Sequence, residues 1–220
     1  MGTVGVPRDG NYNPVPAAVI TPGSGFAVPQ SGSQQVDPVT GLYVAPQIYA
    51  LVDGQKATYR AAITALAAVT GCTDLFTLTG SASKVIRLSR VEFSGTIATA
   101  AMYLDVLGIL RSTADSAGTK TNPSAIPLDP NDPAATAIVA AYTANPTLGN
   151  AIGTIRADKY LLALTGTPAQ PDRLVWEFGN RPGARAVVLR GANSVFALNL
   201  NGVAISNATL IDIAIEWTEE

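Results

Sequence analysis

Residues 210–220 read LIDIAIEWTEE. Ile211, Ile213, Ile215 and Trp217 fall at every second position, with Asp212, Ala214 and Glu216 between them. A period of two marks a strand with one buried and one solvated face, whereas a helix would scatter the same side chains around its axis. The stretch 194–202, SVFALNLNG, repeats the pattern: Phe196, Leu198 and Leu200 alternate with Ala197, Asn199 and Asn201. In KVIRLSRVEFSG (84–95) the phase slips. Ile86 and Leu88 share one parity, Val91 and Phe93 the other. One extra residue restores a common face, so a β-bulge is expected near Ser89–Arg90.

The same reading gives six more strands: TYRAAITAL (58–66), DLFTLTG (74–80), MYLDVLGILRS (102–112), GTIRADKYLLAL (153–164), LVWEF (174–178) and ARAVVLRG (184–191). One interruption reads as helical. In DPNDPAATAIVAAYTANP, Asp132 suits an N-cap, Pro133 the first turn, and Asn145-Pro146 a stop. Ile138, Val139 and Tyr142 would then form its apolar face. The expected fold is mainly β: an antiparallel sandwich of jelly-roll type, with one short helix.

Residues 1–56 differ. They hold seven prolines and eight glycines but only five charged residues, Arg8, Asp9, Asp37, Asp53 and Lys56. Proline removes ladder donors and glycine weakens strands, so a separate core is not expected. Yet Val15, Ile20, Phe26, Tyr43 and Tyr49 are costly to leave in water. The segment reads as an extended Pro/Gly-rich arm on a body spanning 57–220, with these five residues as its assembly contacts.

Composition removes several chemistries. There is no histidine among the 220 residues, so Ser-His-Asp and Cys-His catalytic systems are excluded. Net charge is −2, with no run of Lys or Arg, so a nucleic-acid partner is not expected. No apolar run approaches the roughly 18 residues of a spanning helix, and MGTVGVPRDG lacks a leader pattern, so no membrane association is expected. A single cysteine, Cys72, allows no intrachain disulfide and reads as a buried, inert thiol.

Candidate sites each have a plain structural reading. Asn180-Arg181-Pro182-Gly183 has the composition of a tight turn pairing its flanking strands. Arg181, Arg185 and Arg190 would otherwise form an anion clamp, but Arg185 and Arg190 have opposite parity on a strand. Asp129, Asn131 and Asp132 lack the glycine and distal glutamate of a calcium loop and read as turn formers. Asp105, mid-strand among apolar residues, is the best candidate for a perturbed acid. Asp212, Glu216, Glu219 and Glu220 read as solvated. Trp176 and Trp217 read as core or interface anchors. No cofactor, metal or catalytic set is expected.

Several phrases within 57–220 resemble a family of tailed-bacteriophage and prophage virion proteins: TDLFTLTGSASKVIRLSRVEFSGT, AATAIVAAYTANPTLG, LVWEFGNRPGARAVVLRG and FALNLNGVAISNATLIDIAIEWTEE. The resemblance implies a structural component of a phage particle, assembled in the bacterial cytoplasm, and carries no catalytic residues. The expected function is therefore non-enzymatic: a capsid decoration or cement protein, homo-oligomeric and bound to the major capsid protein. A neck, tail or fibre-attachment component, or a carbohydrate-binding receptor-recognition module, remains the alternative.

Overall fold

A computed structural model describes residues 56–166, 172–180, 184–205 and 209–220, together with the strand backbone of Gln35–Val36 and Tyr43–Val44. The chain divides into two units, Met1–Asp53 and Gly54–Glu220. In the first, β1 (Gln35–Val36) pairs antiparallel with β2 (Tyr43–Val44). The expected contacts Val15, Ile20, Phe26 and Tyr49 lie outside the described residues, as does the side chain of Tyr43.

The second unit is mainly β. Its strands are β3 (Ala57–Ala67), β4 (Cys72–Thr79), β5 (Val85–Ile97), β6 (Met102–Arg111), β7 (Lys120–Thr121), β8 (Ile126–Pro127), β9 (Ile138–Tyr142), β10 (Ala151–Leu164), β11 (Leu174–Glu177), β12 (Val187–Arg190), β13 (Val195–Val203) and β14 (Leu210–Glu219). They form one curled mixed sheet in the order β7-β9-β4-β13-β6-β10-β5-β14-β3-β8, with β11 and β12 also on β5. Its two halves meet in a short parallel pairing, Ala163 with Thr96 and Leu164 with Ile97. Every other pairing is antiparallel.

The halves enclose one core. Phe93 of β5 packs edge-on against Tyr160 of β10, with ring centroids 5.1 Å apart. A Cβ on Gly108 of β6 would lie 3.1 Å from the Trp176 ring of β11, so only glycine fits there without displacing a neighbour. In β14, Ile211, Ile213, Ile215 and Trp217 are all buried, and Tyr59 of β3 stacks on Trp217 at 5.9 Å. Full burial of such side chains contributes about 1.5–3 kcal/mol each.

The phase slip in β5 is a bulge. Arg90 lies opposite Glu216 and Leu88 opposite Trp217, leaving Ser89 as the extra residue. Its hydroxyl donates to the Glu216 carbonyl at 3.0 Å, and its own carbonyl accepts from Phe178 N at 2.8 Å.

Two expectations fail. The segment expected to be helical contains β9 instead, and no helix occurs among the described residues. Val139, Ala140, Ala141 and Tyr142 are buried, and Ile138–Ala141 pair with Phe76–Thr79 of β4. Sheet pairing and burial override the weak helical preference of an alanine-rich stretch. Asp132 does not cap a helix; its amide donates to the Asp129 carbonyl at 3.0 Å in a turn. The strands flanking Asn180 also do not pair with each other. β11 lies along Arg90–Phe93 and β12 along Val85–Leu88, end to end on the same edge of β5. The described ends of the 178–186 connection come back together, which makes it an excursion from that edge. Gly179, with φ +78°, closes the neck of this excursion: a Cβ there would lie 2.7 Å from Ala186 N. Asn180 is exposed and donates its side-chain amide to Glu177 at 3.0 Å. Arg181, Pro182 and Gly183 lie outside the described residues.

Candidate assembly surface and buried ionic cluster

β10 is long, and residues 151–157 are exposed on both faces. Its register with β6 slips twice. Ala151 lies opposite Arg111 and Gly153 opposite Leu110, so Ile152 is an extra residue; Thr154 lies opposite Ile109 and Arg156 opposite Gly108, so Ile155 is another. These two isoleucines are 67% and 42% exposed. A bulge re-aims a side chain out of the regular alternation and bends its strand. Here it turns two apolar side chains to solvent and also blunts the strand edge against simple strand addition.

Farther along the β6–β10 ribbon the outward face carries two cross-strand pairs: Tyr103 with Leu161, and Asp105 with Lys159. Tyr103 is 66% exposed and Leu161 40%. Asp105 accepts from Lys159 Nζ at 2.6 Å and from Asn201 Nδ2 at 3.5 Å. Those hydrogen bonds, Lys159 first, hold its carboxyl below the ordinary range, so the perturbation of this acid is downward, toward the carboxylate. Its parity with Tyr103, not its apolar neighbours, decides its exposure.

Between β10 and the β11–β12 excursion lies an open cavity of about 640 Å³ lined by Arg156, Val175, Glu177, Phe178, Asn180 and Arg185. Arg185 reaches this seam, whereas Arg190 sits exposed in β12 and is not among the lining residues. Asp158 accepts from the Trp176 indole at 2.7 Å near the same seam.

The opposite side is closed. Residues 128–137 cross from β8 to β9, and Glu219 holds them. Its buried carboxylate accepts from Thr136 N and Ala137 N at 3.0 Å, Thr136 Oγ1 at 2.6 Å and Trp217 Nε1 at 3.1 Å. Burial pushes its carboxyl up, but these donors outweigh burial and leave it below the ordinary range. The Tyr59 hydroxyl donates to the Pro133 carbonyl at 2.8 Å. Glu219, expected to be solvated, is 3% exposed. Glu220 pairs with Lys56 and Arg87, and Asp212 accepts from Ala65 N at 2.7 Å. Within the crossing, Asp129 Oδ1 accepts from the Asn131 amide and side chain at 2.9 Å, the turn expected for that sequence.

A second buried polar group escaped the sequence reading. Asp74 of β4 forms a two-point pair with Arg111 of β6, at 2.6 Å from Nε and 2.8 Å from Nη2. Asn199 of β13 also donates to Asp74. Arg111 Nη1 donates to the Gly149 carbonyl at 2.7 Å, and Gly149 N donates to Asp115 at 2.8 Å. The sequence signal was a lone acid inside the apolar run CTDLFTLT, which needs a buried partner. Cys72, one turn of the pleat away, is buried, and burial pushes its thiol up to about 12, as an inert thiol requires. Both tryptophans are buried, at 1% and 0% exposure, as core anchors.

No protein-family model matches this chain, and no curated protein sequence matches it.

Proposed function

We propose that this chain is a non-enzymatic structural component of a tailed-phage particle, in the first place a decoration or cement protein of the capsid. The body would be a jelly-roll-type sandwich and residues 1–56 an arm that ties it to neighbouring subunits. The observation that carries the reading is the bulged end of β10, which holds Ile152 and Ile155 out in water. Exposed apolar side chains set by two successive bulges suit a surface that is covered on assembly. The resemblance of 57–220 to virion proteins supplies the class of particle. The partners would be the major capsid protein and further copies of this chain, and the location the virion.

Sedimentation of particles mixed with full-length protein tests this. Wild type should co-sediment; Ile152→Asp/Ile155→Asp should melt normally and stay in the supernatant. Wild type that never co-sediments with heads but does so with tails would move the protein to the neck or tail. A carbohydrate-binding role has one favourable feature, Tyr103 exposed beside Asp105 and Asn201, an aromatic face flanked by polar groups. Glycan binding abolished by Tyr103→Ala would establish it.

A further inference from the structure

Residues 112–119 and 143–150 form an irregular ribbon at the end of β6 and β10. Ser116 and Thr147 exchange backbone hydrogen bonds at 3.0 and 2.7 Å, and Ser112 N donates to Asn150 O at 2.8 Å. A Cβ on Gly149 would lie 1.9 Å from the Thr113 carbonyl, so only glycine lets the two passes cross this closely. Inward, the ribbon meets the sheet through Gly149 and Asp115 on Arg111. The outward face of β4, β13 and β6 beneath it includes buried Asp74, Asn199 and Arg111.

We propose that Asp115 is a protonation latch: as a neutral acid it holds this ribbon on the sheet, and as a carboxylate it lets the ribbon lift. The cluster contains two carboxylates and one guanidinium. Arg111 directs Nε and Nη2 to Asp74 and Nη1 to the Gly149 carbonyl, so the guanidinium is turned to Asp74 and not to Asp115. Asp115 Oδ1 stands 3.6 Å from Arg111 Nε and is left with Gly149 N as donor. Its Oδ2 is buried and no group among the described residues hydrogen-bonds it, while the whole side chain is 1% exposed. Ionised, the cluster would carry an uncompensated buried negative charge, which is strongly unfavourable. Protonated, Asp115 becomes a donor toward Asp74.

The groups facing Asp115 are few. β6 supplies Arg111, β4 supplies Asp74, and β9 supplies Tyr142, whose hydroxyl is pushed up by burial and then by Asp115. Lys120 lies beyond, 6.0 Å from the Tyr142 ring centre. Burial, with Asp74 adding to it, pushes the Asp115 carboxyl from its ordinary 3.8 up to about 6. A folded-state value raised in this way means that closure binds a proton. The latch is strongest in acid and is lost as pH rises through about 6, giving about a tenfold increase in ribbon opening between pH 5 and pH 8.

Hydrogen exchange on the full-length protein tests the latch, with each rate divided by its intrinsic rate at that pH. Amides of Ser112, Ser116, Thr147 and Gly149 should open about tenfold more at pH 8 than at pH 5. Those of Thr136 and Ala137, held by Glu219, should not change. Asp115→Asn keeps the shape without the charge, and its ribbon should stay closed at both values. Ribbon protection that is equal at pH 5 and pH 8 in wild type overturns the proposal. So does a wild-type pH response that survives in Asp115→Asn. Should that variant not fold, the Asp115 carboxyl carbon can be titrated by NMR in wild type. A midpoint near 6 supports the latch, and one in the ordinary carboxylate range overturns it.

Discussion

The two long sides of the sheet end differently. On one, β8 and β9 are bridged by residues 128–137, and a buried carboxylate on the last strand takes up the amides of that crossing. On the other, β10 faces β11 and β12 across a seam, with two isoleucines in water and two arginines in the cleft. Both sides confront the same problem, a sheet edge with unspent backbone groups. The first solves it inside the chain, with side-chain acceptors. The second only discourages strand addition, by bulging, and keeps apolar groups outside. A side that is satisfied internally contributes to stability, whereas a side left unsatisfied suits a partner.

The sharpest way to break this contrast is Glu219→Ala. It strands two amides, a hydroxyl and an indole N–H in a buried place, and each orphaned donor costs about 1–3 kcal/mol. With partial rescue by water, a loss of about 3 kcal/mol is expected, read as a drop of roughly 6–12 °C in melting temperature. The same group sets an acid limb. Because its folded-state carboxyl lies below the ordinary value of 4.5, its contribution is present above that value and is lost as pH falls through the folded one. Wild type should therefore lose stability in that acid window, and Glu219→Gln should lose much less.

Tyr59→Phe removes the hydroxyl that reaches Pro133 and leaves its carbonyl short of a donor. About 1–1.5 kcal/mol is expected in urea unfolding, with no change in slope. On the open side, Gly179→Ala places a Cβ against Ala186 N in a left-handed conformation. About 1–2 kcal/mol of strain follows, which calorimetry would detect. Ile152→Ser should be smallest, within about 0.5 kcal/mol in the free protein, as for surface substitutions generally. A large destabilisation by Ile152→Ser would mean that the isoleucine packs within its own subunit, and the contrast between the sides would disappear.

The regular half of this architecture was legible. Nine strands, β3 to β6 and β10 to β14, lie where the strand-and-turn reading places them, clean alternation marks β13 and β14, and the parity slip at Ser89–Arg90 foretold a bulge because one residue of excess flips every later side chain. The same logic was available in β10, where Ile152 and Ile155 stand three apart, but alanine, glycine and threonine around them give too little contrast to reveal the phase. β7 and β8 have two residues each, below the length at which a period exists. β9 is alanine-rich, and alanine fits either a helix or a sheet pressed on both faces. Asp74, Arg111 and Asp115 were hidden for another reason. Their meeting depends on β4 and β6 flanking β13, a strand order that periodicity does not encode.

The excursion between β11 and β12 has a consequence for engineering. Both of its ends are already fixed along one edge of β5, and Gly179 touches Ala186 at the neck. Chain inserted between them would have its ends held a few ångströms apart in advance, and closure entropy grows only with the logarithm of length, about 0.6 kcal/mol per doubling. That neck is a natural cloning port: a peptide epitope placed there would be presented as a closed loop, with the ladder of β5 undisturbed on either side.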